Sequence, residues 1–400
     1  MKLSQHRWLI ATIILAGLNL RPALAAVSTL LDSIHGATGM DFATLSLLTT
    51  LPVVAMGACA FTAGALQQRL GAYRGMLLAL TMILAANLLR ALLGDAAGLL
   101  ATAILAGVGI ALVQVLLPGF IKQHFPGHVS QLMGLYVTAI IGGASLAATL
   151  SPWLSGVTGW QLALAFWALP ALLALAMWRR HVQPEPPHAD GSSVGVLQFA
   201  RRPRAWLLAL YFGGETGVYT CTLAWLPTFF IQLGWTPQQG GLMLGYMTGM
   251  EVLSGLLLPL LTARVHDLRP VMLGLLSAIV AGLLGMVSGA AGPMVFLWVG
   301  LLGTGIGGLF PLAMILTLNH IDEPRAAGSL AAFVQGVGYL VAAAAPFIAG
   351  WLRDVTHSLD MAWLALAGMV AVLGLMTLRF NPRRYGEAIR PRGELASATA

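Results

Sequence analysis

The segment WLIATIILAGLNLRPALA, residues 8–25, decides the fold class of this chain. It has about the length that a helix needs to cross the hydrocarbon core of a bilayer, roughly 20 residues, and Arg21 is its one charged residue. Preceding basic residues and the triplet Ala23-Leu24-Ala25 also fit a cleaved secretory signal. We expect an uncleaved first transmembrane helix, because cleavage would discard Arg21 and break the charge pattern described below.

Eleven similar stretches follow this first segment. The chain is 58% hydrophobic and 9% charged over 400 residues, a composition that a water-soluble domain could not bury. Long, uniformly apolar runs indicate helices, because barrel strands alternate apolar and polar residues. We therefore predict an all-α membrane protein with twelve transmembrane helices, centred near Asn19, Ala55, Ile83, Gly109, Gly142, Pro170, Val218, Glu251, Ile279, Gly305, Tyr339 and Val370.

The positions of the 21 basic residues indicate the topology. If the N-terminus is cytoplasmic, eighteen fall in cytoplasmic segments, Arg90 and Arg353 fall on the opposite side, and Arg21 falls inside the bilayer. The positive-inside rule then places both termini in the cytoplasm, as in a multi-pass protein of a bacterial-type inner membrane. The net charge of +7 is explained by topology, so we expect the lipid bilayer and no nucleic acid as a partner.

The chain divides into two halves. We predict an N-terminal six-helix bundle over residues 1–178, a cytoplasmic linker over 179–204, a C-terminal six-helix bundle over 205–380 and a cytoplasmic tail over 381–400. Gly107-Val108-Gly109-Ile110 recurs as Gly303-Thr304-Gly305-Ile306, and Pro152 has a counterpart in Pro346 at nearly the same separation. Two six-helix repeats are typical of transporters that bind substrate near the midplane between rocking halves.

Arg21 is the first candidate for a functional residue. An arginine at the centre of a span costs at least about 2.5 to 3.5 kcal/mol on insertion scales, so it needs a reason. It could pair with a neighbouring acid, or its planar fork of donors could anchor a small anion such as a carboxylate or cyanate. We favour the anchor.

Two acids, Glu215 and Glu251, lie similarly deep in the seventh and eighth spans. A carboxylate at that depth is costly unless it is paired or protonated, so both are candidates for proton coupling. Glu215 is equally well interpreted as a structural ion pair with Arg21, because the first and seventh spans are pseudo-symmetric mates.

Further polar and aromatic groups near the same depth are candidates for substrate binding. Glu215 and Tyr219 are four residues apart, as are Gln335 and Tyr339, so each pair shares a helix face. Each single side chain could instead form an interhelical hydrogen bond, and we interpret Tyr136 and Trp225 as packing aromatics. The predicted substrate-binding set is Arg21, Asn19, Gln114, Tyr219, Gln335 and Tyr339.

A membrane-embedded enzyme would need a metal-ligand cluster or a nucleophile with its base. The nine histidines lie at span ends or in loops, and the two cysteines, Cys59 and Cys221, lie in apolar spans where a thiol packs as a small hydrophobe. We therefore predict no catalytic residue, no metal and no cofactor.

The chain resembles the major facilitator superfamily, and more narrowly its branch of cyanate permeases and 2-nitroimidazole exporters. The resemblance runs from about Leu18 to Phe380 and is nearer to the cyanate permease pattern. It is carried by Leu18-Asn19-Leu20-Arg21-Pro22, Leu47-Leu48-Thr49-Thr50-Leu51-Pro52, Gly107-Val108-Gly109-Ile110, Leu117-Pro118-Gly119-Phe120-Ile121-Lys122, Ala224-Trp225-Leu226-Pro227 and Gln335-Gly336-Val337-Gly338-Tyr339.

Two departures limit what the resemblance implies. The superfamily's loop signature, Gly64 to Gly71 here, has Gln68 where an aspartate is usual, and the cyanate permease pattern has uncharged residues at Glu215 and Glu251. The resemblance implies a monomeric secondary transporter that moves a small, cyanate-like anion by alternating access. Coupling of this transport to protons is part of the expectation. The alternative is efflux of a small heteroaromatic such as a 2-nitroimidazole.

Overall fold

The computed structural model describes residues 7–125, 128–184, 196–262, 265–289, 292–321, 323–385 and 389. These residues form helices and short connections, and no strand occurs among them. The all-α prediction is confirmed. Residues 185–195 of the predicted linker and 390–400 of the predicted tail lie outside the described part, so the boundaries of both stay predictions.

The described helices form twelve spans in chain order, with two short 3₁₀ helices at Val196–Arg201 and Pro382–Arg384. The α-helices are Arg7–Leu18 and Pro22–Thr29 (span 1), Leu31–Thr38, Phe42–Leu89 (spans 2 and 3), Ala96–His124 (span 4), Val129–Thr158 (span 5), Trp160–Ala165 and Ala168–His181 (span 6), Pro203–Gln232 (span 7), Pro237–Thr262 (span 8), Arg269–Gly289 (span 9), Val295–Leu318 (span 10), Pro324–Ala342 and Ala344–Thr356 (span 11) and Asp360–Thr377 (span 12).

Span 7 differs from the other spans in its polarity. Eleven helical stretches of the described residues are long and apolar enough to cross a membrane, and span 7 is not among them. It contains Glu215 and four threonines, and 22 of its residues are buried. A helix surrounded by other helices has little contact with lipid, so it can carry polar side chains that an outer span cannot.

Spans 2 and 3 form one long helical stretch with a sharp turn at Gly71. The φ of this residue is 65° and its ψ is 170°, a conformation that side chains disfavour and glycine tolerates. The turn falls at the last glycine of the degenerate loop signature. The backbone conformation at position 71 therefore requires glycine, independently of any role of the loop signature in gating.

Glycines on spans 4 and 10 show that the two halves are packed alike. A side chain on Gly107 would collide with span 2, and one on Gly109 would collide with span 3. A side chain on Gly303 would collide with span 8, and one on Gly305 with span 9. The two recurring Gly-x-Gly motifs therefore perform the same packing task, displaced by six spans, which confirms the predicted repeat.

A second pair of glycine contacts follows the same symmetry. Gly17 and Gly143 bring the backbones of spans 1 and 5 together, and Gly213 and Gly338 do the same for spans 7 and 11. Small residues allow this close approach, which supplies van der Waals packing where lipid removes the hydrophobic driving force.

Charged side chains join the two halves on one face of the molecule. We call the face where span 1 begins and span 12 ends the terminal face, and the opposite one the distal face. On the distal face, Arg353 of span 11 bonds Asp32 with 3.3 Å between Nη2 and Oδ1. Its guanidinium also lies 3.6 Å from the Phe42 ring centroid and 5.8 Å from that of Trp225. This arginine therefore joins three spans from both halves.

The neighbouring carboxylate strengthens the same contact. Both oxygens of Asp354 accept hydrogen bonds from the start of span 2, at 3.1 Å from the Phe42 nitrogen and 2.8 Å from the Ala43 nitrogen. A carboxylate at a helix N-terminus satisfies amides that have no partner inside the helix. The distal face is closed in this structure by charges from one half that bind the other.

Breaking the polar contact on the distal face should expose the residues that this contact buries to solvent. In a protein whose two cysteines are replaced by serine, Ser46→Cys places a thiol at a buried position that adjoins Gly350 in this contact. We expect Arg353→Gln to raise the rate of maleimide labelling at this thiol about fivefold, as for a loss of about 1 kcal/mol of closure. The measurement is labelling of purified protein in nanodiscs. Arg74→Gln, at an exposed arginine, is the control, and equal rates for all three proteins would contradict the interpretation.

Candidate functional site

Span 1 is interrupted where its arginine lies. The first helix ends at Leu18 and the second begins at Pro22, because proline has no N–H to continue the hydrogen-bond ladder and is favoured in the first turn of a helix. Arg21 is the N-cap of the eight-residue second helix, Pro22–Thr29. The interruption places a guanidinium and the positive end of a helix dipole at the same depth in the molecule.

Arg21 is 6% exposed. Its guanidinium carbon lies 5.1 Å from the ring centroid of Tyr219, a cation–π contact that joins spans 1 and 7. Among the described residues, its side chain forms neither a hydrogen bond nor an ion pair. The structural ion pair between Arg21 and Glu215, weighed above, is therefore absent from this structure, and the aromatic ring of Tyr219 takes its place.

The two deep carboxyls are both buried, Glu215 at 1% exposure and Glu251 at 2%. Oε2 of Glu215 accepts a hydrogen bond of 3.1 Å from Thr216. Oε1 of each carboxyl is enclosed, and neither has a hydrogen-bond partner among the described residues. Arg21 is one of the charges that act on Glu251, so spans 1, 7 and 8 meet in one electrostatic cluster.

Tyr339 of span 11 completes the cluster from the other side. Its ring packs edge to face on Phe212, with 5.5 Å between centroids, and Arg21 and Glu215 both act on it electrostatically. The structure thus brings together five of the predicted residues, which we call the Arg21 cluster: Arg21, Glu215, Tyr219, Glu251 and Tyr339.

Three other predicted residues are not joined to this cluster by any contact among the described residues. The amide nitrogen of Asn19 donates to the carbonyls of Leu15 at 2.7 Å and Pro170 at 3.1 Å. Gln335 is partly exposed, and its amide nitrogen is 3.8 Å from the sulfur of Met314. Gln114 is partly exposed, with no hydrogen bond to another described residue. The hydrogen bond from Asn19 to Leu15 supports the end of the helix Arg7–Leu18, because Leu15 lies in the last turn of that helix.

Tyr136 of span 5, interpreted above as a packing aromatic, is a neighbour of Arg21. Arg21 and Tyr339 both act on it electrostatically, and its ring touches the backbone of span 1 at Gly17. A glycine pair, Gly17 with Gly143, could have indicated a close approach of spans 1 and 5. It could not have shown which side chain of span 5 faces the arginine.

No group of three or more histidine, cysteine, aspartate or glutamate side chains in the described part of the chain is placed to hold a metal ion.

Comparison with known proteins identifies relatives along nearly the whole chain. The family model of the Major Facilitator Superfamily matches residues 9–346. The chain is 38% identical over 380 residues to the cyanate transport protein CynX of Escherichia coli (strain K12), covering 94% of this chain and 98% of that one. It is 31% identical to the 2-nitroimidazole transporter of the same organism, covering 93% and 94%. A crystal structure of a D-xylose-proton symporter shares the fold with a TM-score of 0.77 at 17% identity, covering 93% and 97%.

The bonds of Asn19 predict a structural rather than a ligand-binding role. Asn19→Ala should lower the free energy of unfolding by about 1 to 3 kcal/mol, because two carbonyls lose a donor. Gln114→Ala is the matched control and should leave stability nearly unchanged. The measurement is the midpoint of thermal or denaturant unfolding of the purified protein. If both variants unfold at the same midpoint, the role assigned to Asn19 is wrong.

Proposed function

The chain belongs to the major facilitator superfamily and is a multi-pass membrane transporter, not an enzyme, and on that premise we propose that it carries a small monovalent anion such as cyanate by alternating access. One observation carries the proposal. Arg21 is a buried cation, at the break of span 1, that no described residue pairs with by hydrogen bond or salt bridge.

The energetics of this arginine support an anion as its missing partner. Placing an arginine at the centre of a span costs at least about 2.5 to 3.5 kcal/mol, and a cation–π contact contributes about 0.5 to 2 kcal/mol. The positive end of the helix Pro22–Thr29 disfavours a cation further. An anion bound here would interact favourably with both the guanidinium and the helix end, as anionic groups do at broken helices in other transporters.

The chemistry of the surroundings supports a substrate class. The ring of Tyr219 lies over the guanidinium, and the guanidinium donors form no hydrogen bond with a described residue, so they are available to an anionic ligand. The relative named for cyanate transport is 38% identical. Both considerations support cyanate, a triatomic anion, as the first substrate to test.

Glu251 is the proposed proton carrier. Glu251 is buried and Arg21 acts on it electrostatically, so an anion that binds Arg21 would also change the charge around this carboxyl. Anion and proton would then cross together as a neutral pair, which explains a second charge beside the first. Glu215 is held by Thr216 and is the weaker candidate.

Export of a heteroaromatic such as a 2-nitroimidazole is the second candidate. It is supported by the aromatic rings of Tyr219, Tyr339 and Phe212 around the cluster and by the relative of that name. Stacking on these rings would bind a neutral ring without Arg21.

The charge distribution supports an inner-membrane orientation with both termini in the cytoplasm. Eighteen basic residues fall on the terminal side by sequence. The two arginines of the distal side are buried, Arg90 at 1% and Arg353 at 7% exposure. The described part of the distal face therefore exposes no positive charge, as the positive-inside rule requires of a non-cytoplasmic face.

Removing the Arg21 charge should strongly reduce transport. We expect Arg21→Gln to weaken cyanate uptake at least about thirtyfold, as for a loss of 2 kcal/mol or more from an unpaired buried anion. The measurement is uptake of labelled cyanate into proteoliposomes. Arg74→Gln, an equal change of charge at an exposed position, should behave as the wild type. Undiminished uptake by Arg21→Gln would refute the anchor, and uptake of 2-nitroimidazole in place of cyanate would favour the second candidate.

The proton step can be tested separately. Glu251→Gln keeps the size of the side chain but cannot exchange a proton, so we expect cyanate uptake that no longer responds to an imposed proton gradient. Glu215→Gln should still respond. The measurement is the initial rate of cyanate uptake, compared between vesicles with a neutral interior and vesicles with an alkaline interior. A gradient response that persists in Glu251→Gln and disappears in Glu215→Gln would assign the proton to Glu215 instead.

A further inference from the structure

Tyr136 has a buried hydroxyl with no partner. Its side chain is 3% exposed, and its hydroxyl is enclosed, with no hydrogen bond to any described residue. The hydroxyl of Tyr211, another buried tyrosine, accepts a hydrogen bond from Thr377 at 3.1 Å. An enclosed hydroxyl without a partner is unfavourable, so its retention beside a functional cluster points to a partner that comes and goes.

Packing explains why Tyr136 lies beside the broken part of span 1. A Cβ on Gly17 would stand 2.9 Å from Cδ2 of Tyr136 and 3.0 Å from its carbonyl oxygen. A side chain on Gly143 would collide with the carbonyl of Leu18, the last residue before the break. The two glycines therefore seat the tyrosine against the end of the first helix of span 1, next to the break that contains Arg21.

Electrostatic interactions link Tyr136 to the surroundings of the cation. Arg21 and Tyr339 both act on Tyr136, and Arg21 acts on Tyr219, Tyr339 and Glu251 as well. Tyr136 comes from span 5, whereas Tyr219 and Tyr339 come from spans 7 and 11. It thus adds an aromatic side chain of the first half to the surroundings of the cation, which also belongs to the first half.

We propose that Tyr136 donates its hydroxyl hydrogen bond to the transported anion and thereby selects a compact anion with two acceptor atoms, one for the guanidinium of Arg21 and one for this hydroxyl. The inference rests on the function proposed above and adds a second donor to it. Cyanate, with a nitrogen and an oxygen at its two ends, meets the requirement. A ligand that only stacks on rings does not use this donor.

The test is Tyr136→Phe, which removes one oxygen and keeps the ring against Gly17. Because the variant loses a bond to a charged ligand, we expect the KM for cyanate to rise about tenfold or more with little change in the maximal rate. Because it also removes an unpaired buried hydroxyl, we expect the melting temperature without cyanate to stay the same or rise. Stabilisation of the purified protein by cyanate should shrink in parallel with the rise in KM.

Tyr211→Phe is the matched control. Its hydroxyl has a partner in Thr377, so this variant should melt at a lower temperature and keep the KM for cyanate. An unchanged KM in Tyr136→Phe, with Arg21-dependent uptake intact in the wild type, would overturn the role of Tyr136 and leave the proposed function standing. A lower melting temperature with an unchanged KM would identify Tyr136 as a packing residue. Absence of Arg21-dependent uptake in the wild type would overturn both proposals.

Discussion

A buried cation that no described residue pairs with is the constraint on which the rest of this structure depends. A membrane interior makes such a charge costly, and among the described residues Arg21 meets the ring of Tyr219 and the start of a helix, with no ion pair to an acid. A carboxylate held directly on Arg21 would make a stable pair and would compete with any anionic ligand. The separation of Glu251 from a direct contact keeps the cation available while the two charges still influence each other.

The repeat architecture explains how the cluster can face two sides in turn. Glycines on spans 1, 4 and 5 and their counterparts on spans 7, 10 and 11 bind each half tightly within itself. The halves contact each other through glycines as well, such as Gly241 against the backbone of Ala148, and through Arg353 and Asp354 at the distal face. A molecule of two internally packed halves with its substrate site at their boundary is suited to rocking around that site. The Arg21 cluster lies at that boundary, since its members come from both halves.

Polar groups with and without protein partners are hard to tell apart from the sequence of a membrane helix, and this chain contains both kinds side by side. Asn19 and Arg21 are two residues apart, yet the amide of Asn19 is bound to two carbonyls while the guanidinium of Arg21 has no hydrogen bond to any described residue. Tyr211 and Tyr136 differ in the same way, one satisfied by Thr377 and the other without a described partner. The unsatisfied member of each pair faces the cluster.

The sequence by itself determined the all-helical class, the number of spans, the two similar halves and the assignment of Arg21, Glu215 and Glu251 to spans. These properties follow from hydropathy, charge and repetition along the chain, which are local quantities. Only the tertiary structure decided that Tyr219 rather than Glu215 covers Arg21, that Asn19 bonds Pro170, and that Tyr136 belongs beside the cation. Those outcomes depend on how each helix is rotated about its axis, and that rotation is set by glycine contacts between spans far apart in sequence.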